Sequence, residues 1–101
     1  MDIKIIQSLY KSSKIKWSAH CLKRMQERDI SIDDVGSCIM SGEIIEDYPD
    51  DFPYPSCLVF GYSVNKRVLH VVVASDDKTL YVITVCYPDT KKFTEDLRTR
   101  R

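Results

Sequence analysis

The sequence is poor in the residues that build several common kinds of site. Its 101 residues hold only three glycines, and no GxGxxG or GxxxxGK pattern, so a P-loop or other Gly-rich phosphate cradle is excluded. HExxH and GxSxG are absent as well, which removes the zinc-protease helix and the hydrolase nucleophile elbow. Cys21, Cys38, Cys57 and Cys86 lie 17, 19 and 29 residues apart, spacings that build neither a zinc finger nor a CxxC redox motif. Unbroken apolar runs stop at four residues, as at Val71–Ala74, against the roughly 20 a membrane helix needs. The opening Met1-Asp2-Ile3-Lys4-Ile5-Ile6 lacks a basic stretch followed by a long apolar core, so no signal peptide is expected. With apolar neighbours around each cysteine, four small buried thiols in a reducing cytoplasm are the expectation. Neither sign of charge dominates: 15 Lys and Arg face 15 Asp and Glu, so no global pull toward nucleic acid or acidic lipid exists.

The composition that remains is that of a globular protein, 44% hydrophobic and 30% charged. One domain, residues 1–101, with a single modest core fits the length. The neutral total hides a separation. Residues 1–29 carry seven basic and three acidic side chains, residues 30–60 seven acidic and none basic, and residues 61–101 eight basic and five acidic. A basic face built from the two ends, beside an acidic middle, would suit a phosphate-bearing partner such as RNA. Plain solvation of the surface is the other reading of these runs.

Periodicity predicts helices first and strands after. Residues 2–12 read as a helix with Ile5, Ile6, Leu9 and Tyr10 on its apolar side. Ser18 can cap a second helix to about Asp29, and Ser31 a third, with Asp33 and Asp34 at its positive end and Gly42 as its stop. From residue 43 the pattern changes to runs rich in Val, Ile, Tyr and Phe: 43–48, 57–64, 67–75 and 80–87, joined by turn-like links. Three prolines between Tyr48 and Ser56 place a loop there, pinned by Phe52, Tyr54 and Phe60. The expected fold class is α+β, with the N-terminal helices packed on one face of a four-stranded antiparallel sheet.

The second helix holds the most informative chemistry. With Trp17 at zero and about 100° per residue, Cys21 and Met25 fall near 40° and 80°, His20 and Arg24 near 300° and 340°, and Arg28 near 20°. One imidazole and two guanidiniums therefore line a half-buried ridge. Guanidinium forks match phosphate oxygens and an imidazole moves protons near neutral pH, so an anion site is one reading. Salt bridges from Arg24 or Arg28 to Asp47, Asp50 or Asp51 are the other, because a buried arginine needs a partner. His70, the second histidine, shares a strand face with Val68, Val72 and Ala74. It is either a core histidine bonded to a carbonyl or, if it meets His20, half of a general acid–base pair for RNA cleavage, a reaction that needs no metal. Thr84 interrupts an apolar strand and Tyr87 ends it; each is either ordinary strand packing or a ligand contact. Two histidines and scattered cysteines make a zinc site unexpected, and no cofactor is implied.

The run Trp17-Ser18-Ala19-His20, with Arg24 and Arg28 four and eight residues after the histidine and then Ile30-Ser31, resembles the opening motif of the DUF4258 family. The resemblance continues through Asp34-Val35, Gly42–Pro49, Leu69–Val72 and Ile83–Val85, and spans about residues 17–88. That family is named for unknown function and is similar to the RelE-like and barnase-like small ribonuclease toxins. The resemblance implies helices on a four-stranded antiparallel sheet and a metal-free RNA-cleaving site at His20, Arg24, Arg28 and Thr84, with Tyr87 and His70 as further members. RNA is the expected partner of such a site, and an antitoxin-like protein the expected partner under the alternative that follows. A non-catalytic interaction or RNA-binding module of the same fold is the alternative, using the basic tail Arg98–Arg101 and open strand edges.

Overall fold

The computed structural model describes residues 1–101. Three helices, α1 (Ile3–Lys11), α2 (Ala19–Glu27) and α3 (Ile32–Ser41), accompany five strands, β1 (Ile15–Trp17), β2 (Glu43–Tyr48), β3 (Ser56–Tyr62), β4 (Val68–Ser75) and β5 (Leu80–Cys86). The sheet order is β1-β5-β4-β3-β2. The α+β class holds, but the sheet has five strands and is mixed, not four-stranded and antiparallel. The added strand is β1, which pairs in parallel with the start of β5, Ile15 opposite Leu80 and Trp17 opposite Val82. Three residues between two helices are too few to display a period of two. What makes them a strand is the exposed edge of β5, an edge that exists only once the hairpins have folded.

Each helix begins at a side chain that satisfies its free N–H groups. The Asp2 carboxylate accepts from Lys4 N–H at 2.9 Å, and the Ser18 hydroxyl accepts from Cys21 N–H at 3.0 Å. Ser31 and Asp34 form a reciprocal capping box. The end of α2 is set by a Schellman turn: Ile30 N–H donates to the Met25 carbonyl at 2.9 Å and Asp29 N–H to that of Gln26 at 3.2 Å. Asp29 takes the left-handed conformation, φ 57°, and Ile30 is buried with Met25 in the core. This turn makes Arg28 the C-cap residue of α2.

The core lies between the helices and one sheet face. Ile6 of α1, Cys21 and Met25 of α2, and Val35, Cys38 and Ile39 of α3 meet Cys57, Val59, Leu69, Val71, Val73, Val82 and Val85. Ile5 stays 43% exposed; Ile3, Leu9 and Tyr10 pack beside Ile6 instead, so the apolar side of α1 is rotated from the expected one. α3 presses closely on β3: a Cβ at Gly61 would stand 2.1 Å from the Cys38 carbonyl oxygen. Gly42 ends α3 with extended backbone, φ −89° and ψ 167°.

The opposite sheet face is also covered. β3 is buried on both sides from Ser56 to Gly61, because residues 89–101 fold back as a small irregular hairpin over the middle of the sheet. Phe93 is buried there and packs edge-on against His70, ring centroids 4.5 Å apart. Arg98 pairs with Glu43, and Arg100 grips Glu46 through two bonds of 2.9 and 2.8 Å. The amino terminus reaches Asp47 at 2.9 Å. The two basic ends of the sequence thus spend three of their cations on the acidic middle, and the expected basic face is smaller than the charge count suggests. Asp96 ties the tail hairpin together, accepting from Thr94 O–H and from the N–H groups of Arg98 and Thr99, which hold its carboxyl down at about 2. In the proline loop Tyr54 stacks on Tyr81 at 5.3 Å, whereas Phe52 is 95% exposed and pins nothing. Phe60 belongs to β3.

Candidate functional site

β1 covers the outer edge of β5 only as far as Val82. Beyond it, α2 takes over and lies against Ile83–Val85. Cys21 and Met25 point into the core, which turns His20, Arg24 and Arg28 toward the strand edge, as the helical spacing predicts. A recess of about 80 Å³ results, lined by these three side chains and by residues 83–85, Thr84 among them. A bulge in the β4–β5 ladder after Val72–Thr84 gives Ile83 no partner, so Thr84 and Ile83 are both exposed at this edge.

The two arginines have different surroundings. Arg28 is half-buried and donates from Nη1 to the Val85 carbonyl at 2.7 Å; it meets no carboxylate. Its partner is therefore an edge carbonyl that β1 leaves unpaired. Arg24 is exposed and makes a one-turn pair with Glu27 at 3.2 Å. Neither arginine reaches Asp47, Asp50 or Asp51, the salt-bridge partners the sequence offered. Asp47 holds the amino terminus and Asp51 accepts from the Ser56 hydroxyl. No carboxylate lines the recess. Cys21, at its inner wall, is a poor nucleophile, because burial pushes its thiol up and nearby Arg28 only partly opposes this.

His70 and Tyr87 lie elsewhere. His70 faces the C-terminal segment, away from the helices, and is 3% exposed. Its Nε2 is 2.7 Å from the Leu97 carbonyl oxygen, which can only accept, so Nε2 bears the proton. Burial pushes the imidazole below its ordinary value; the bond to Leu97 and nearby Glu46 oppose this, and Arg100 adds to it. His70 thus has the geometry of a neutral core histidine that fastens the tail, and it does not meet His20. Tyr87 has Arg67 over its ring at 4.0 Å, and its hydroxyl accepts from Arg67 at 3.3 Å.

Both residues border a second, larger depression of about 470 Å³, between the sheet face and the tail. Arg28 lines this one too, so its guanidinium stands between the two depressions. Sequence reasoning missed the larger one because its outer wall is the tail. The available signal was Phe93, the one aromatic among the charged residues 89–101. No group of three His, Cys, Asp or Glu side chains is placed to hold a metal ion, and no helix is long and apolar enough to cross a membrane.

A family model described as a domain of unknown function, DUF4258, matches residues 17–87. The match begins just before the Ser18 cap and ends at Tyr87, so it takes in both sides of the recess. No curated protein and no solved structure matches the chain.

Proposed function

The chain belongs to the DUF4258 family, and on that premise we propose that the α2–β5 recess binds the phosphodiester backbone of RNA and cuts it. The observation behind this reading is the gathering of His20, Arg24, Arg28 and Thr84 around one small recess whose lining contains no carboxylate. Two guanidiniums offer planar forks to the non-bridging oxygens and to the charge that grows on them as the phosphorane forms. His20, exposed at the mouth, takes the proton of the 2′-hydroxyl. The 2′-oxygen then attacks phosphorus, and the 5′-oxygen leaves with a proton returned by the imidazolium. The products are a 2′,3′-cyclic phosphate and a 5′-hydroxyl, and the step uses no metal. With His70 on the sheet's other face, one imidazole serves both transfers. Thr84 supplies a hydroxyl to position the phosphate. The His20, Arg24 and Arg28 spacing lies inside the part of the chain that matches the family, and a likeness of that family to RelE-like and barnase-like ribonuclease toxins would agree with this reading.

The test is cleavage of total RNA in EDTA by wild type, His20→Ala and Arg24→Ala. Removal of a proton-transfer group lowers the rate by about 10²–10⁴-fold, so cleavage confined to wild type is the expected result. Intact RNA with folded wild-type protein would remove the ribonuclease reading. A second reading, a protein-binding module, is favoured by the position of β2 at the sheet edge and by exposed Phe52 in the next loop. Co-elution with a partner that survives His20→Ala and is lost in Phe52→Ala would identify it.

A further inference from the structure

We propose that the larger depression, between the sheet face and residues 89–101, is a nucleotide subsite that takes a nucleobase and turns its phosphate toward Arg28. The inference rests on the phosphate reading of the recess, because Arg28 is the residue the two depressions share.

Size is the first argument. A volume of about 470 Å³ falls within the roughly 300–1,000 Å³ of small-molecule sites, and the 80 Å³ recess next to it has room for little beyond a phosphate group. The second argument is the lining. Leu58, Val72 and Cys86 border it from three adjacent strands, an apolar sheet surface, and Tyr87 and Phe93 add aromatic rings. A flat aromatic base on an apolar floor beside aromatic walls is a common way of holding an unstacked nucleotide. The third argument is charge. Of the cations at this depression, Arg100 is neutralised by Glu46. Arg28 and Lys92 form no ion pair and face the single carboxylate of Asp89. Two cations against one anion leave the charge that a phosphodiester or phosphate monoanion complements. An uncharged apolar ligand would leave both cations without a use.

The tail is part of this subsite. Lys92 and Phe93 belong to it, and both are held over the sheet by the Arg98–Glu43 and Arg100–Glu46 pairs and by the Leu97–His70 bond. The same residues border the depression only when residues 89–101 are folded back.

Cys86 provides the assay, because it borders the depression and is the one cysteine of four that is not buried. The intact protein is alkylated with iodoacetamide in the presence of each of the four nucleoside 3′-monophosphates or of inorganic phosphate, with Cys86→Ala as the labelling control. At saturation at least one nucleotide is expected to slow Cys86 labelling about tenfold, and inorganic phosphate to leave it unchanged, since phosphate alone does not cover the floor. Lys92→Ala, an exposed change that the fold tolerates, should raise the protecting concentration several-fold. Val72→Phe should fill the floor and abolish protection. A 2′-O-methyl dinucleotide, which cannot be cut, separates the two sources of this ligand. Protection at about tenfold lower concentration than a mononucleotide, lost in Arg24→Ala, assigns the subsite to an RNA strand running through both depressions. Equal protection assigns it to free nucleotides. Absence of protection by every nucleotide and by the dinucleotide overturns the proposal. Cleavage of RNA without protection would refute the subsite and leave the recess reading standing. Protection without cleavage would leave the subsite and the phosphate contact of the recess standing and remove only the cutting role.

Discussion

Arg28 serves structure and chemistry at once, and the two roles separate under substitution. In Arg28→Ala the bond from Nη1 to the Val85 carbonyl, 2.7 Å long, is lost. A hydrogen bond with a charged donor contributes about 1.5–3 kcal/mol. The arginine is half-buried and its recess opens to solvent, so water reaches the freed carbonyl and brings the loss to the bottom of that range or just below it, about 1–2 kcal/mol. For a chain of this length that is a fall of about 5–10 °C in Tm. Arg24→Ala removes only an exposed one-turn pair with Glu27, worth about 0.3–0.5 kcal/mol, and its Tm should stay within about 3 °C of wild type. Thermal unfolding by circular dichroism and RNA binding by salt-dependent anisotropy, on the same preparations, distinguish the variants. Both should bind RNA more weakly, and only Arg28→Ala should melt early. Arg28→Lys keeps the charge but loses the fork; it should recover most of the stability and little of the binding. Wild-type Tm in Arg28→Ala would mean that the Val85 carbonyl has no need of its partner. Wild-type RNA binding in Arg24→Ala would refute the phosphate role of the recess.

Two further outcomes concern the fold around the sites. The folded state holds His70 below its ordinary pKa of 6.5, so the unfolded chain takes up the proton first as pH falls. Stability should therefore be level above pH 6.5 and decline below it, and His70→Gln, which can still donate to Leu97, should flatten that decline in Tm measured from about pH 7.5 to 5.5. Gly61→Ala should cost about 2–3 kcal/mol or more in urea unfolding, because the new methyl meets the Cys38 carbonyl oxygen, a backbone atom that can yield only if α3 moves off the sheet; a wild-type midpoint would show that α3 is not held so close.

The local signals in this chain are strong where a few residues act on one another at short range. Ser18 and Ser31 cap their helices because their hydroxyls sit three residues ahead of the N–H groups they accept from. Helical spacing alone places His20, Arg24 and Arg28 along one edge of α2, and the strands from Glu43 onward follow their β-branched runs. Other features are only partly visible. The pattern ends α2 near Asp29, yet the left-handed residue there is an aspartate, not the glycine that would have marked a Schellman turn.

What the tertiary structure decided are the features that depend on which surfaces meet. Strand β1 exists because β5 offers an edge, and it stops at Val82, which leaves the Val85 carbonyl to Arg28. The partner of Arg28 is therefore a backbone oxygen that no pattern of side chains encodes. The sequence could not choose between a tail free for partners and one folded back, because Arg98 and Arg100 find Glu43 and Glu46 more than fifty residues away. Likewise, whether His70 met His20 depended on which sheet face the helices cover. Alternation placed His70 on the same face as Val72, but only the packing of α1, α2 and α3 on the Val71–Val73 side assigned that face to the tail. Residue type and spacing determine which groups share a ridge or a face; long-range burial and pairing decide which ridges and faces are brought together.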